Sequence, residues 1–146
     1  MRPVLPDVDA LVVDALRHGL EGATVRVGWP EDWSDGLPLV VARRVPGGSS
    51  NPLGIDVALI DVQCAATDRR EASRLARVVR VALADACLKQ WQGPDGYLSR
   101  FEDVTGPAEI RTGEPAAGPD LFRFQATYRV TARPIRPIPG GQPLWL

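Results

Sequence analysis

Two hydrophobic periods alternate along the chain, and each change of period marks a new element. After an extended MRPVLP, Asp7 precedes Val8, Leu11, Val12, Ala15 and Leu16, which recur at i, i+3, i+4, i+7 and i+8. That spacing predicts a short helix with one apolar face, closed by Gly19. Thr24 to Gly28 (TVRVG) then alternates at period two, so a strand is expected with Val25 and Val27 inward and Arg26 outward. A turn-rich connection carrying Trp29 and Trp33 leads to a second strand, Leu39 to Val45 (LVVARRV), and PGGSSNPLG predicts a flexible loop after it. Ile55 to Thr67 (IDVALIDVQCAAT) has apolar residues on both parities, Val57 and Leu59 on one and Ala58, Ile60, Val62 and Cys64 on the other. Such a strand is central, covered on both faces, with a strand on either side.

The longest helix follows at once, from Asp68 to Lys89, and the unit Ile55–Lys89 is the expected centre of the fold. Asp68 with Glu71 three residues later is a capping-box signal. The stripe Ala72, Leu75, Ala76, Val79, Ala82, Leu83, Ala86 keeps helical period throughout, and about 21 residues make a rod of about 32 Å. Its small residues allow close approach to a sheet, while Leu75, Val79 and Leu83 each contribute about 1.5–3 kcal/mol of burial. An aspartate at Leu75 is therefore expected to unfold the domain.

WQGPDG breaks the helix, and GYLSRFEDVTGPAEIRT predicts one or two short strands around Gly106 and Pro107. From Asp120 to Arg133 the alternation is nearly perfect: Phe122, Phe124, Ala126, Tyr128, Val130 and Ala132 face one way, Arg123, Gln125, Thr127, Arg129, Thr131 and Arg133 the other. Four prolines in the last 13 residues, from Pro134, exclude a helix or a central strand there. The expected fold is thus α+β in two layers, with element order α-β-β-β-α-β-β. One long helix and one short N-terminal helix pack a mixed, mostly antiparallel sheet of about four to six strands. Residues 1–133 form the domain and 134–146 an extended arm ending in Leu144, Trp145 and Leu146.

Composition narrows the function classes. A chain of 146 residues supports a single core, and 17 basic against 18 acidic residues leave a net charge of -1. A general affinity for nucleic acid or anionic membranes has no support in that balance. No apolar run approaches the roughly 18 residues of a membrane span, and the N-terminus lacks a signal-peptide cleavage site, so an intracellular protein is expected. Cys64 and Cys87 cannot build a disulfide framework or a four-ligand metal site, and they are expected as buried free thiols.

Candidate chemistry is sparse. His18, the single histidine, falls in the last turn of the first helix, where a cation complements the helix dipole. Glu102 with Asp103, and Asp56 with Asp61, are the possible acid–base pairs, yet their spacing opposes neither pair across a site. PGGSSNPLG lacks the lysine and following helix of a phosphate loop. No catalytic, cofactor or metal residue is expected. Arginine placement is more informative: Arg69, Arg70, Arg74, Arg77 and Arg80 lie off the apolar stripe of the long helix, Arg43 and Arg44 in the second strand, and Arg123, Arg129 and Arg133 on the wet face of the last. Solvated surface is one reading; a subunit interface is the other, since arginine pairs bidentately with a partner's carboxylates. The apolar end of the arm, Leu144 and Trp145, is either a frayed tail or a segment docked on a neighbour.

The ordered set VGWPEDWSDGLPLVVARRVPGG, IDVALIDVQCAATDRREASRLARVVRVAL and GPAEIRTGEPAAGPDLFRFQATYRVTAR resembles the tail terminator proteins of long-tailed, siphovirus-type phages, especially those infecting actinobacteria. The shared features, spanning Asp7 to Arg133, are the short first helix, the Val27-Gly28-x-Pro30 turn, a Pro-Leu-Val-Val strand ending in arginine, the Asp-x-x-Glu-Ala helix start and a closing alternating strand with a tyrosine. The resemblance implies a non-enzymatic ring, usually of six copies, at the tail–neck junction of the virion, assembled in the host cytoplasm. Its implied partners are further copies, the tail tube protein and a neck or head-completion protein, with a lumen that lets DNA pass and no membrane contact. The interface candidates are Trp29, Trp33, Arg43, Arg44, Arg70, Arg74, Arg77, Arg123, Arg129, Leu144 and Trp145. Another neck or head–tail joining ring is the second reading, and a small ligand-binding or catalytic α/β domain the third.

Overall fold

The computed structural model describes residues 3–110 and 121–135. Its elements follow the order α1 (Val8–Gly19), β1 (Thr24–Arg26), a 3-10 turn (Trp33–Gly36), β2 (Leu39–Ser50), β3 (Asp56–Ala66), α2 (Arg69–Leu88), β4 (Gly96–Ile110) and β5 (Phe122–Pro134). The expected α+β order is present. Five strands form one mixed sheet in the order β1-β2-β3-β5-β4; β1 runs parallel to β2 and every other pairing is antiparallel.

Helix starts are set by the residues that the sequence pattern picks out. Asp7 Oδ1 accepts from the Ala10 N–H at 3.1 Å, and Asp68 Oδ1 accepts from the Arg70 N–H at 3.2 Å. Among the described residues the reciprocal bond expected from Glu71 is not made; its side chain lies in solvent. α1 and α2 then bury their apolar faces on one side of the sheet. Val12, Leu16, Val79 and Leu83 pack with Val40, Ala58, Ile60, Val62, Tyr128 and Val130 in a single core. Leu75 and Ala82 are only half-buried at its margin, so Val79 and Leu83 carry the burial of α2.

Three expectations need correction. PGGSS is not a loop: β2 continues to Ser50, and the register shift between Val45 and Ser49 marks a bulge. Glycine makes that possible, because Gly47 sits at φ +121° and a Cβ on Gly48 would lie 2.1 Å from the Val57 carbonyl oxygen. The segment around Gly106 and Pro107 is not two short strands but the single 15-residue β4, whose register shifts twice between Asp103 and Ala108. Pro107 is tolerated because β4 is an edge strand and needs no donor on its outer side. Val27 lies beyond β1 and is 43% exposed instead of inward.

The fourth departure concerns coverage of the sheet. β3 does lie between β2 and β5. Its Ala58, Ile60, Val62 and Cys64 face the helices, but Val57 and Leu59 on the other parity remain half-buried. Among the described residues, only Trp29, Trp33, Leu37 and Leu121 cover that second face, at one end, over Leu39, Val41 and Ala65. Among the described residues the sheet therefore has a helix face and a largely open face.

Candidate functional site

Alternation along each strand decides which arginines can meet which carboxylates. Arg44 lies in register with Ile60, on the helix face, beside the fully buried Asp56. Its guanidinium grips Asp56 with both terminal nitrogens, Nη2 to Oδ1 at 2.7 Å and Nη1 to Oδ2. That hydrogen bond raises the Arg44 pKa further, and the Arg44 backbone N–H donates to Asp9 Oδ1 at 2.7 Å, tying α1 to β2. Arg44 is thus engaged inside the chain, with its side chain still 35% exposed.

Two arginines of α2 are committed likewise. Arg69 Nε donates to Glu109 at 2.9 Å and its guanidinium sits 5.5 Å from the Phe124 ring centre. Arg80 grips Asp103 through Nε and Nη2 at 2.8 and 2.5 Å and stands 6.0 Å from the Phe101 ring centre. The Arg80 hydrogen bond holds the Asp103 carboxyl below the usual carboxylate range. Arg70, Arg74 and Arg77, by contrast, are exposed and form no ion pair among the described residues.

The open sheet face carries Arg43, Arg100, Arg123, Arg129 and Arg133. Arg43 lies in register with Asp61, which is only 8% exposed and accepts from Gln125 Nε2 at 2.5 Å. Arg129 bonds Glu102 at 3.1 Å, Arg100 takes the other Glu102 oxygen at 2.9 Å, and Arg133 Nε donates to Ser99 Oγ at 3.3 Å. Arg123 stacks its guanidinium 5.4 Å from the Trp29 ring centre, and Trp29 and Trp33 lie 6.2 Å apart. Both tryptophans are half-buried and cover the small second cluster. Val45, Val57 and Leu59 leave half-buried aliphatic surface among these polar groups. Leu144 and Trp145 lie outside the described residues.

The suggested acid–base pairs do not form. Asp56 and Asp61 are five residues apart on one strand and so point to opposite faces; Glu102 and Asp103, one apart across β4, do the same and bond different arginines. Cys64 and Cys87 are buried free thiols whose pKa values burial pushes up to about 12. His18 stacks on Trp91 at 4.7 Å, a packing role that its position in the last helical turn did not reveal. A cleft between α1 and Gly93–Asp95 holds about 20 Å³, room for about one water. Among the described residues no cluster could hold a metal ion, and no helix is long and apolar enough to cross a membrane.

What sequence reasoning missed is the acidic half of these pairings. Asp56, Glu102, Asp103 and Glu109 take the arginines only because the cross-strand register and the lie of α2 bring them together. The loop that holds Trp29 and Trp33 is acidic, with Glu31, Asp32 and Asp35 all exposed. The arrangement combines arginine–carboxylate pairs, aromatic rings and half-buried aliphatic surface. No curated protein matches the chain. Residues 4–139 match the phage tail termination protein family, and since that match spans nearly the whole sequence, the chain belongs to this family of structural phage tail proteins.

Proposed function

We propose that copies of this chain form a closed ring that caps the finished tail tube, stops its polymerisation and joins it to the head or neck. The observation that carries the reading is the one-sided sheet. Helices cover one face, while the other keeps half-buried Val45, Val57 and Leu59 among arginine–carboxylate pairs and a tryptophan pair. A surface of that mixture is suited to protein contact, with aromatic and arginine anchors and polar groups already paired. A ring needs two different, complementary surfaces on each copy. The open face with Trp29, Trp33, Arg43, Arg123 and Arg129, and the outer side of α2 with Arg70, Arg74 and Arg77, are the proposed contact regions.

The ring is taken as six copies in a siphovirus-type tail of an actinobacteriophage, its lumen passing DNA without specific binding. Residues 1–133 are the ring-forming domain, and the arm from 134 docks through Leu144 and Trp145 on a neighbouring copy. Membership of a tail termination family favours this over a neck protein of another kind. The test is tube growth. Purified tube protein is polymerised with and without the chain, and tube lengths are measured by electron microscopy. Shortened tubes bearing one capped end are expected; unlimited growth at both ends with the chain in excess refutes the proposal.

A further inference from the structure

We infer that the acidic loop of one copy, Glu31, Asp32 and Asp35, binds the arginine row of the next copy, Arg70, Arg74 and Arg77, as the head-to-tail contact of the ring. The inference rests on the ring reading above and specifies which surfaces meet. Three observations carry it.

The first is that both charge sets are unspent. Glu31, Asp32 and Asp35 are exposed, and none forms an ion pair or side-chain hydrogen bond among the described residues; Asp32 precedes the 3-10 turn without capping it through its side chain. Arg70, Arg74 and Arg77 are equally exposed and unpaired there, while Arg69 and Arg80 on the same helix have found carboxylates on β4. Arg70 sits in the first turn, where a cation opposes the helix dipole.

The second is placement. α2 packs on the helix face of the sheet, whereas Trp29 and Trp33, which carry the acidic loop, pack on Leu39, Val41 and Ala65 of the other face. Among the described residues the two sets form no ion pair with each other. Joined between chains, they place unlike surfaces in contact, which propagates head to tail and closes only as a ring.

The third is a match in what flanks the charges. Positions 70, 74, 77, 78 and 81 share one outer side of α2, so the row runs on into Val78, 38% exposed, and Val81, 62% exposed. Arg70 to Arg77 spans about 10 Å along the helix. The loop sets its carboxylates within five residues and beside half-buried Trp29 and Trp33. Charge meets charge, and aliphatic surface meets aromatic surface. Glu71 is the one exposed acid in the row's first turn, leaving a net positive charge on that side.

Charge reversal with mixing tests this. One chain carries R70E, R74E and R77E; a second carries E31R, D32R and D35R; a third carries all six. Association is followed by sedimentation velocity at low and high salt, and melting temperature is measured for each chain. Folding is expected to survive, because a carboxylate at position 70 suits the helix dipole and the loop acids bond nothing within the described chain. Each three-fold variant alone is expected to associate on the order of 100-fold more weakly than wild type, since like charges now face each other. An equimolar mixture of the two restores association by alternating copies, and the six-fold variant associates unaided. Reversed chains that associate like wild type overturn this contact and leave the ring standing, as does a mixture that fails to recover. A wild-type chain monomeric at every concentration refutes the ring itself. Retention on duplex DNA that the row reversal abolishes, with association unchanged, assigns the row to nucleic acid and overturns the inference.

Discussion

Replacing Arg44 with methionine separates structure from assembly at a position where the sequence alone pointed to an interface. Methionine keeps an unbranched apolar stem of similar reach, so the change removes the guanidinium and little packing. What remains is Asp56, with no exposed surface, deprived of both Nη1 and Nη2. Breaking a buried pair by removing one partner costs about 3–5 kcal/mol, because the surviving charge is left uncompensated. The Arg44 side chain is 35% exposed, so water reaches the carboxylate once the guanidinium is gone, and about 2–3 kcal/mol is the better expectation. For a chain of this size that lowers the melting temperature by about 5–10 °C. R44K keeps the charge but loses the two-pronged grip, and about 1 kcal/mol is expected. R44M combined with D56L removes both charges and should recover most of the loss. Thermal and urea unfolding by circular dichroism measure all three. If R44M melts within about 2 °C of wild type while losing association, Arg44 is an interface residue and the intrachain account is wrong.

Other expectations concern different parts of the fold. The lowered pKa of Asp103 means its contribution is full above the ordinary carboxylate pKa, about 4, and is lost as pH falls through the lowered value. D103N should therefore flatten the acid limb of melting temperature against pH, by a small amount because the pair is half-exposed; parallel curves between pH 2 and 7 would contradict this. Gly48→Ala pushes a Cβ against the Val57 carbonyl and is expected to cost about 2–4 kcal/mol, whereas Gly106→Ala, with nothing within 4 Å, should leave stability unchanged. Equal melting of the two variants would rule out the close approach at the bulge. W29A with W33A uncovers Leu39, Val41 and Ala65 and removes the ring under Arg123, so about 2–4 kcal/mol should be lost in urea unfolding; an unchanged midpoint would show that the pair does not cover the sheet.

Much of the fold was legible because it is written in local periods. The stripe of α1, the cap at Asp68, the stripe of α2 and the alternation of β5 each need only a few consecutive residues, and each appears where expected. Glycine and proline misled the same reading. Gly47, Gly48 and Pro107 lower strand propensity locally, yet a bulge and an edge position accommodate them, and neither can be seen without the partner strand.

The arginines mark the limit more sharply. Sequence alone put Arg70, Arg74 and Arg77 off the apolar stripe of α2, Arg123 and Arg129 on the wet face of the last strand and Arg43 and Arg44 in the second strand, and the ordered motifs carried the family resemblance. Which of them are spent inside the chain was decided by tertiary structure. Arg44 and Asp56 are 12 residues apart, Arg80 and Asp103 are 23, and Arg129 and Glu102 are 27. Those meetings depend on strand register and on where α2 crosses β4, quantities that no local period encodes. The same holds for the sheet's open face: apolar residues on both parities of β3 are a property of the sequence, whereas leaving one parity half-covered is a property of how the helices pack.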